Sequence, residues 1–330
     1  MSIVRTVLGD IAPADLGITA AHEHLWCDQR MGREVDFPRH TNPMVLDNVD
    51  MIVDEVDRFQ TAGGRAIVEV TVHGWNRDVG RLAEISRRTG VHVIATSGYY
   101  VEACHPAFAA EADISTLEEF LVREMTEGAD GTSIRPGLLK AAVSRPVLEG
   151  VEERCTRAVA RAHRRTGAAI TTHTSGSTRF HIDGGNAGYQ FLAIFDEEGV
   201  DPNRVVIGHC DENADIRQLA TLMRLGAYVE FDVIGKAHWL LDDTRVDLVK
   251  RLVDQGFAHR LLLASDRNRV HELHAGRGTG YDYLLTHFVP KLRRAGVDEE
   301  SVALMLVANP AEVFTLPKSP ARRHSHELRQ

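Results

Sequence analysis

Eight short β-rich segments punctuate the chain: Thr19–Trp26, Ala66–Gly74, His92–Tyr100, Gly137–Ser144, Ala168–Ser175, Arg204–Asp211, Ala227–Gly235 and Arg260–Asp266. Between them run stretches whose apolar residues recur at helical spacing. Val45–Ala62 stops at Gly63-Gly64, Val79–Thr89 at Gly90, Leu148–Thr166 at Gly167, Asp211–Leu225 at Gly226 and Asp243–Gln255 at Gly256. A glycine-stopped helix followed by an apolar strand is the rhythm of a parallel sheet. Eight such units without a composition break predict one closed (β/α)8 barrel, an α/β fold of the TIM type, over residues 1–330. Ile3–Leu16 reads as a β-hairpin (residues 1–17) covering the barrel bottom. Glu111–Ser133 reads as an extra helical insertion before the fourth strand, and His271–Tyr281 as a long loop lining a pocket.

Composition narrows the function classes. Net charge is −9 over 330 residues, with a pI near 6.0, which argues against a nucleic-acid binder. The four cysteines (Cys27, Cys104, Cys155, Cys210) are far apart and form no C-x-x-C pair, so neither a disulfide framework nor a zinc ribbon is expected. No secretory leader pattern and no long apolar run is present, so a soluble, cytoplasmic protein with no membrane partner is expected. The polar, basic stretch Lys318–Gln330 reads as a loosely held tail.

Chemistry-bearing residues fall at the ends of the strands. The first strand gives His22 and His24, two apart and so able to share a face. Lys140 ends the apolar run Gly137-Leu138-Leu139, His173 follows Ile170-Thr171-Thr172, His209 follows Ile207-Gly208, and Asp266 ends the eighth segment. The C-terminal strand ends of such a barrel line one mouth, where active sites sit. One histidine on an apolar strand is more often a satisfied core residue. Four histidines with an aspartate in register favour a metal site. Lys140, half buried among apolar neighbours and near two cations, would be costly as an ammonium. Reaction with carbon dioxide removes that cost by turning it into a carbamate, an anionic oxygen ligand.

His22-x-His24, Lys140, His173, His209 and Asp266, in this order, resemble the amidohydrolase superfamily. More narrowly, they resemble its phosphotriesterase and phosphotriesterase-like lactonase family, from the His-Glu-His-Leu run to Asn309-Pro310-Ala311. The resemblance implies two divalent metal ions, zinc by default and manganese, cobalt or iron as alternatives. His22, His24 and Asp266 would hold the more buried ion, and His173 and His209 the more exposed one. Carboxylated Lys140 and a hydroxide would bridge them. That hydroxide would attack a carbonyl carbon or phosphorus, with Asp266 as general base. A homodimer acting on a small-molecule substrate is also implied.

The chain departs from the organophosphate-hydrolysing members, where a histidine follows the aspartate of the seventh strand. Here Val233 follows Asp232, and Glu212 replaces the aspartate after the sixth-strand histidine. Quorum-sensing lactonases of the family often carry arginine at the first of these positions, and Val233 departs from them as well. Lys236 and Arg269 border the expected mouth, as in the sugar-lactone branch, some of whose members accept phosphorylated lactones. Salt bridges from these cations to Asp232, Glu230 or Asp243 are the competing reading. Tyr99 and Tyr100 end the third segment, and one of them is expected to face the pocket. Trp26, Trp75 and Trp239 read as packing residues, and Cys210, on the opposite strand face from its neighbouring ligand, reads as no nucleophile. The expected activity is opening of a lactone, including one bearing phosphate or another anion. Organophosphate triester hydrolysis, a non-catalytic metal- or ligand-binding barrel and a mononuclear deaminase-like site are the alternatives.

Overall fold

The computed structural model describes residues 2–28, 44–144, 147–174, 187–212 and 215–317. The tail expected at 318–330 lies outside them. Eight parallel strands follow one another in chain order across one sheet. They are β1 (Thr19–Glu23), β2 (Ala66–Glu69), β3 (His92–Gly98), β4 (Leu138–Ala142), β5 (Ile170–His173), β6 (Val205–Ile207), β7 (Tyr228–Phe231) and β8 (Leu261–Leu263). Nearly every strand residue is buried, because helices cover one face and the barrel interior the other. The ring closes between β8 and β1 just past the strand ends. There His24 N–H donates to Arg267 O (3.3 Å) and Asp266 N–H to His22 O (3.1 Å). The Glu23 carboxylate stitches the same seam, accepting from Ser265 N (2.7 Å) and Arg267 N (2.8 Å).

Strand alternation sorts the interior into layers. Val68, Ile94, Leu138, Ala169, Val206, Tyr228 and Leu262 form an apolar layer that also takes in Val4, Leu16 and Phe314. Two residues further along β4 comes Lys140, and two along β7 from Tyr228 comes Glu230. The apolar layer is thus the floor of a polar mouth. On β1 the pairing with β2 shifts register between Ala20 and Glu23. Ala21 joins the apolar floor while His22 reaches the mouth, so the facing of side chains changes at this irregularity.

The N-terminal strands Ile3–Thr6 and Gly9–Ile11 pair as the expected hairpin. Thr315–Leu316 adds a third, antiparallel strand to it, pairing with Ile3 and Val4. The helices that alternate with these strands are α1 (Val49–Thr61), α2 (Val79–Thr89), α3 (Ile114–Thr126), α4 (Gly150–Thr166), α5 (Ala187–Glu197), α6 (Ile216–Arg224) and α7 (Asp242–Asp254), and shorter helices over Val289–Arg294, Glu299–Ala303 and Asn309–Val313 follow β8. Asn48, Asp78 and Asp113 cap the starts of α1, α2 and α3 by accepting a backbone N–H. The first amphipathic stretch therefore begins at Val49 rather than Val45. Val45–Leu46 is instead a short strand paired with Cys27–Asp28. Residues 111–133 are no insertion: α3 is the ordinary helix between β3 and β4, packed on α4. Helix α5, between β5 and β6, buries Ala187, Gly188, Phe191, Ile194 and Phe195 on one side, but the apolar Leu192 and Ala193 beside that stripe blur it in the sequence. No helix among the described residues is long and apolar enough to cross a membrane.

Replacing Glu23 with alanine removes the acceptor of two buried N–H groups at the seam. Each unpaired group costs about 1–3 kcal/mol. Denaturant unfolding of Glu23→Ala should show a loss on the order of 3 kcal/mol, whereas a loss below about 1 kcal/mol would mean that the seam does not depend on this carboxylate.

Candidate metal centre

The six strand-end residues expected to converge do so at the C-terminal mouth, all buried there except His173, which is half-buried. His22 Nε2 lies 4.0 Å and His24 Nε2 3.3 Å from Asp266 Oδ1. His173 Nδ1 and His209 Nε2 are 2.7 Å apart. The rings of His22 and His209 are centred 5.1 Å apart, which joins the two groups. Lys140 Nζ donates to Val70 O (3.2 Å) and lies 5.3 Å from the Tyr100 ring centre. Gly98 makes room for it: a Cβ there would come within 2.1 Å of the Lys140 carbonyl oxygen, and its φ of +153° suits glycine. His209 (φ +55°) and Asp266 (φ +47°) are among the few non-glycine residues with left-handed backbones. Each turns sharply at the end of its strand, which aims its side chain across the mouth rather than along the strand.

Buried partners orient the imidazoles. His22 Nδ1 contacts Glu230 Oε2 (2.8 Å) and Asp232 Oδ2 (3.2 Å). With Nδ1–H donating to these acids, Nε2 is left as a lone pair, and that buried atom has no protein partner. An orphaned, deprotonated ring nitrogen facing a carboxylate fits a metal ligand. His24 Nδ1 bonds Thr71 Oγ1 (2.6 Å), whose hydroxyl donates to Glu69 Oε1 (2.5 Å). His209 Nδ1 bonds Asp232 Oδ1 (2.7 Å). Asp232 thus serves both His22 and His209. The groups His22/His24/Asp266 and His22/His209/Asp232 each bring their ligand atoms close enough to hold one ion.

Electrostatics follow burial. Desolvation and the charges of Lys140 and His209 push His22 well below its usual value, and desolvation brings His24 to about 4. His173 is lowered in the same way. These rings are neutral, the form a metal requires. Burial alone would lower His209, but Asp232 on its Nδ1 raises it to about 9. Burial and the neighbouring Asp232 push Glu230 well above the carboxylate range. Burial lowers Lys140 to about 8 despite the surrounding carboxylates.

The remaining candidates divide. Tyr100 faces the site, with its hydroxyl 3.4 Å from His173 Nε2 and its ring stacked on Trp75 at 4.7 Å. Tyr99, the residue before it, does not join it: it points the other way, and its hydroxyl donates to Leu117 O of α3 (3.0 Å). Lys236 reaches the mouth but is paired there, with Asp266 Oδ2 at 2.8 Å and Glu272 Oε1 at 3.4 Å. Neither Asp232, Glu230 nor Asp243 is among these partners. Arg269 is half-buried and donates to Asn268 Oδ1 (2.7 Å), whose amide in turn donates to Asp266 Oδ2 (3.1 Å). Arg267 is buried and bonds Ile234 O, Thr279 Oγ1 and Gly280 O, tying loops together. Cys210 donates to Ile207 O (3.2 Å), and burial holds its thiol well above the usual range. Sequence patterning overlooked Glu230, Asp232, Thr71 and Trp75 as parts of the site. Trp75, expected to be a packing residue, lies 4.6 Å from the His24 ring.

The sequence model of the Phosphotriesterase family matches residues 2–314. The chain belongs to this family. It is 36% identical over 300 residues to the phosphotriesterase homology protein of Escherichia coli (strain K12), covering 90% of this chain and 98% of that protein. It is 31% identical over 348 residues to the N-acetyltaurine hydrolase of Rattus norvegicus, covering 94% and 97%. Among solved structures, a lactonase from Listeria monocytogenes superposes with a TM-score of 0.86 at 28% identity, covering 96% of this chain and all of that one. The last two are named as hydrolases, and this family member is an enzyme of that class.

Asp232→Asn should weaken metal retention by about 10–100-fold, because it disturbs partners of two imidazoles at once. Competition with a chelator followed by elemental analysis checks this. Retention equal to that of the parent would remove Asp232 from the site's support.

Proposed function

We propose that the protein is a metal-dependent hydrolase that opens lactones. The observation that carries this reading is the orphaned Nε2 of His22 opposite Asp266, among three neutral imidazoles (His22, His24 and His173) and a buried lysine. Two metal ions would fit these donors: His22, His24 and Asp266 would hold one, His173 and His209 would hold the other, and Lys140 would offer a further oxygen ligand as its carbamate. Zinc is the default occupant for such N/O ligands. When bound, the metals supply an activated water and polarise the carbonyl oxygen under attack.

The chain's own residues do the rest. Glu230, Asp232 and Thr71 hold the tautomers of His22, His209 and His24. Asp266 is the catalytic carboxylate that takes the proton of the attacking water. Lys236 and Asn268, both on its Oδ2, orient it and leave Oδ1 toward the imidazoles. Burial raises Asp266, yet Lys236 and His24 hold it well below the usual range, so it is ionised and ready to accept. Tyr100 and Trp75 form an aromatic wall against the ring of a small substrate. Val233 carries no group able to relay a proton and is fully packed, which supports carbonyl esters over phosphotriesters. The N-acetyltaurine hydrolases among the relatives favour a second reading, hydrolysis of an amide by the same residues.

In an assay panel of sugar lactones, acyl-homoserine lactones, N-acyl amino sulfonates and paraoxon, the largest kcat/KM should fall to a lactone. A best substrate among the phosphotriesters would overturn the reading. Asp266→Asn should lower kcat by about 10³-fold, within the span of general-base effects. The lysine makes a separate prediction with a definite sign. Carbamate formation needs the free amine, so bicarbonate-dependent metal uptake by metal-stripped protein should rise with pH through about 8. Lys140→Met should abolish that dependence, and bicarbonate-independent loading would refute the carbamate.

A further inference from the structure

The wall made by the loops after β7 and β8 sets a cation against two acids. Lys236 Nζ lies between Asp266 Oδ2 and Glu272 Oε1, and all three side chains are buried. Asp266 belongs to the candidate ligand set, but Glu272 does not. The second oxygen of Glu272 accepts from Asn268 N (2.9 Å) and Arg269 N (3.1 Å), the start of the loop that carries Arg269. The backbone of Thr279 and Gly280 folds back onto the Glu272 carbonyl (both 3.0 Å). The carboxylate is therefore fixed beside Lys236 and cannot swing away when an anion approaches.

An anionic substrate group that reached Lys236 would settle next to this fixed carboxylate. The opposition scales with the charge brought in, and a buried site is weakly screened. A phosphate monoester carries about two negative charges near neutrality, a carboxylate only one. We propose that Glu272 is a specificity-determining residue that limits the substrate to lactones bearing at most one negative charge, neutral or carboxylated, and disfavours phosphorylated ones. This rests on the hydrolase reading above and narrows its substrate class.

The test reads binding rather than turnover, so it separates this inference from the activity itself. Calorimetric titration of metal-loaded protein with inorganic phosphate and, separately, acetate gives a phosphate-to-acetate affinity ratio. Glu272→Gln keeps an acceptor for Asn268 and Arg269 and removes the charge. Its phosphate affinity should rise about tenfold and its acetate affinity about threefold, as expected when repulsion is proportional to ligand charge. In a Lys236→Met background the same substitution should change the ratio little, because the cation that draws the anion beside Glu272 is gone. Elemental analysis fixes equal metal content across the four proteins. An unchanged ratio in Glu272→Gln, or a full gain persisting without Lys236, overturns the proposal. Absence of lactone hydrolysis with the ratio shifted as expected would sink the lactonase reading alone.

Discussion

Charge buried in a protein must be paired, and the mouth of this barrel is built around that requirement. Carboxylates (among them Glu23, Glu69, Asp211, Glu230, Asp232, Asp266 and Glu272) and cations (among them Arg77, Lys140, Lys236, Arg245 and Arg267) are buried at or just behind the C-terminal strand ends. None would be stable there alone. Glu23 is held by backbone N–H groups at the seam, and Asp232 by two imidazoles and the His209 amide. Asp211 is held by the Arg245 guanidinium (2.6 Å), which also grips Asp242 (3.0 Å). The pairing leaves each imidazole a defined tautomer and a defined direction.

The same network ties the loops to the floor. Asp211 accepts from the backbone of Asp232 and Val233, and Asp242 accepts from Gly235 N and the Tyr283 hydroxyl. The segment between β7 and α7, which carries Lys236, is therefore pinned from both sides. A second clamp, Arg77 between Glu124 and Asp130, locks the loop after β2 to the end of α3. Trp75 stands on that loop, so the aromatic wall inherits the clamp's rigidity. A site assembled from eight separate loops keeps sub-ångström order only when each loop is anchored in this way.

The fold was legible because parallel strands buried on both faces write an apolar run, and each helix before them ends at a glycine. The candidate ligands were legible because histidine, lysine and aspartate at the ends of such runs have few structural reasons to be there. Helix α5 was hidden by its weak amphipathic contrast, and α3 was mistaken for an insertion because a long irregular stretch separates it from β3. The partners of the ligands were harder to see. Glu230 and Asp232 sit in an ordinary alternation on β7, and nothing in that local pattern says that they meet His22 from across the barrel. The same holds for Glu272, whose pairing with Lys236 depends on two loops meeting. The facing of His22 could be guessed only by ignoring the register shift that precedes it, and the direction of Tyr100 required the strand's actual orientation.

The strand Thr315–Leu316 lies beside Ile3 and Val4 beneath the apolar floor. The beginning and end of the folded chain are therefore neighbours, on the side of the barrel opposite the mouth. An affinity handle, fluorophore or surface tether fixed to the strand Thr315–Leu316 would sit on the face away from the entrance. Immobilised through that face, the molecule would present its open side to the surrounding solution.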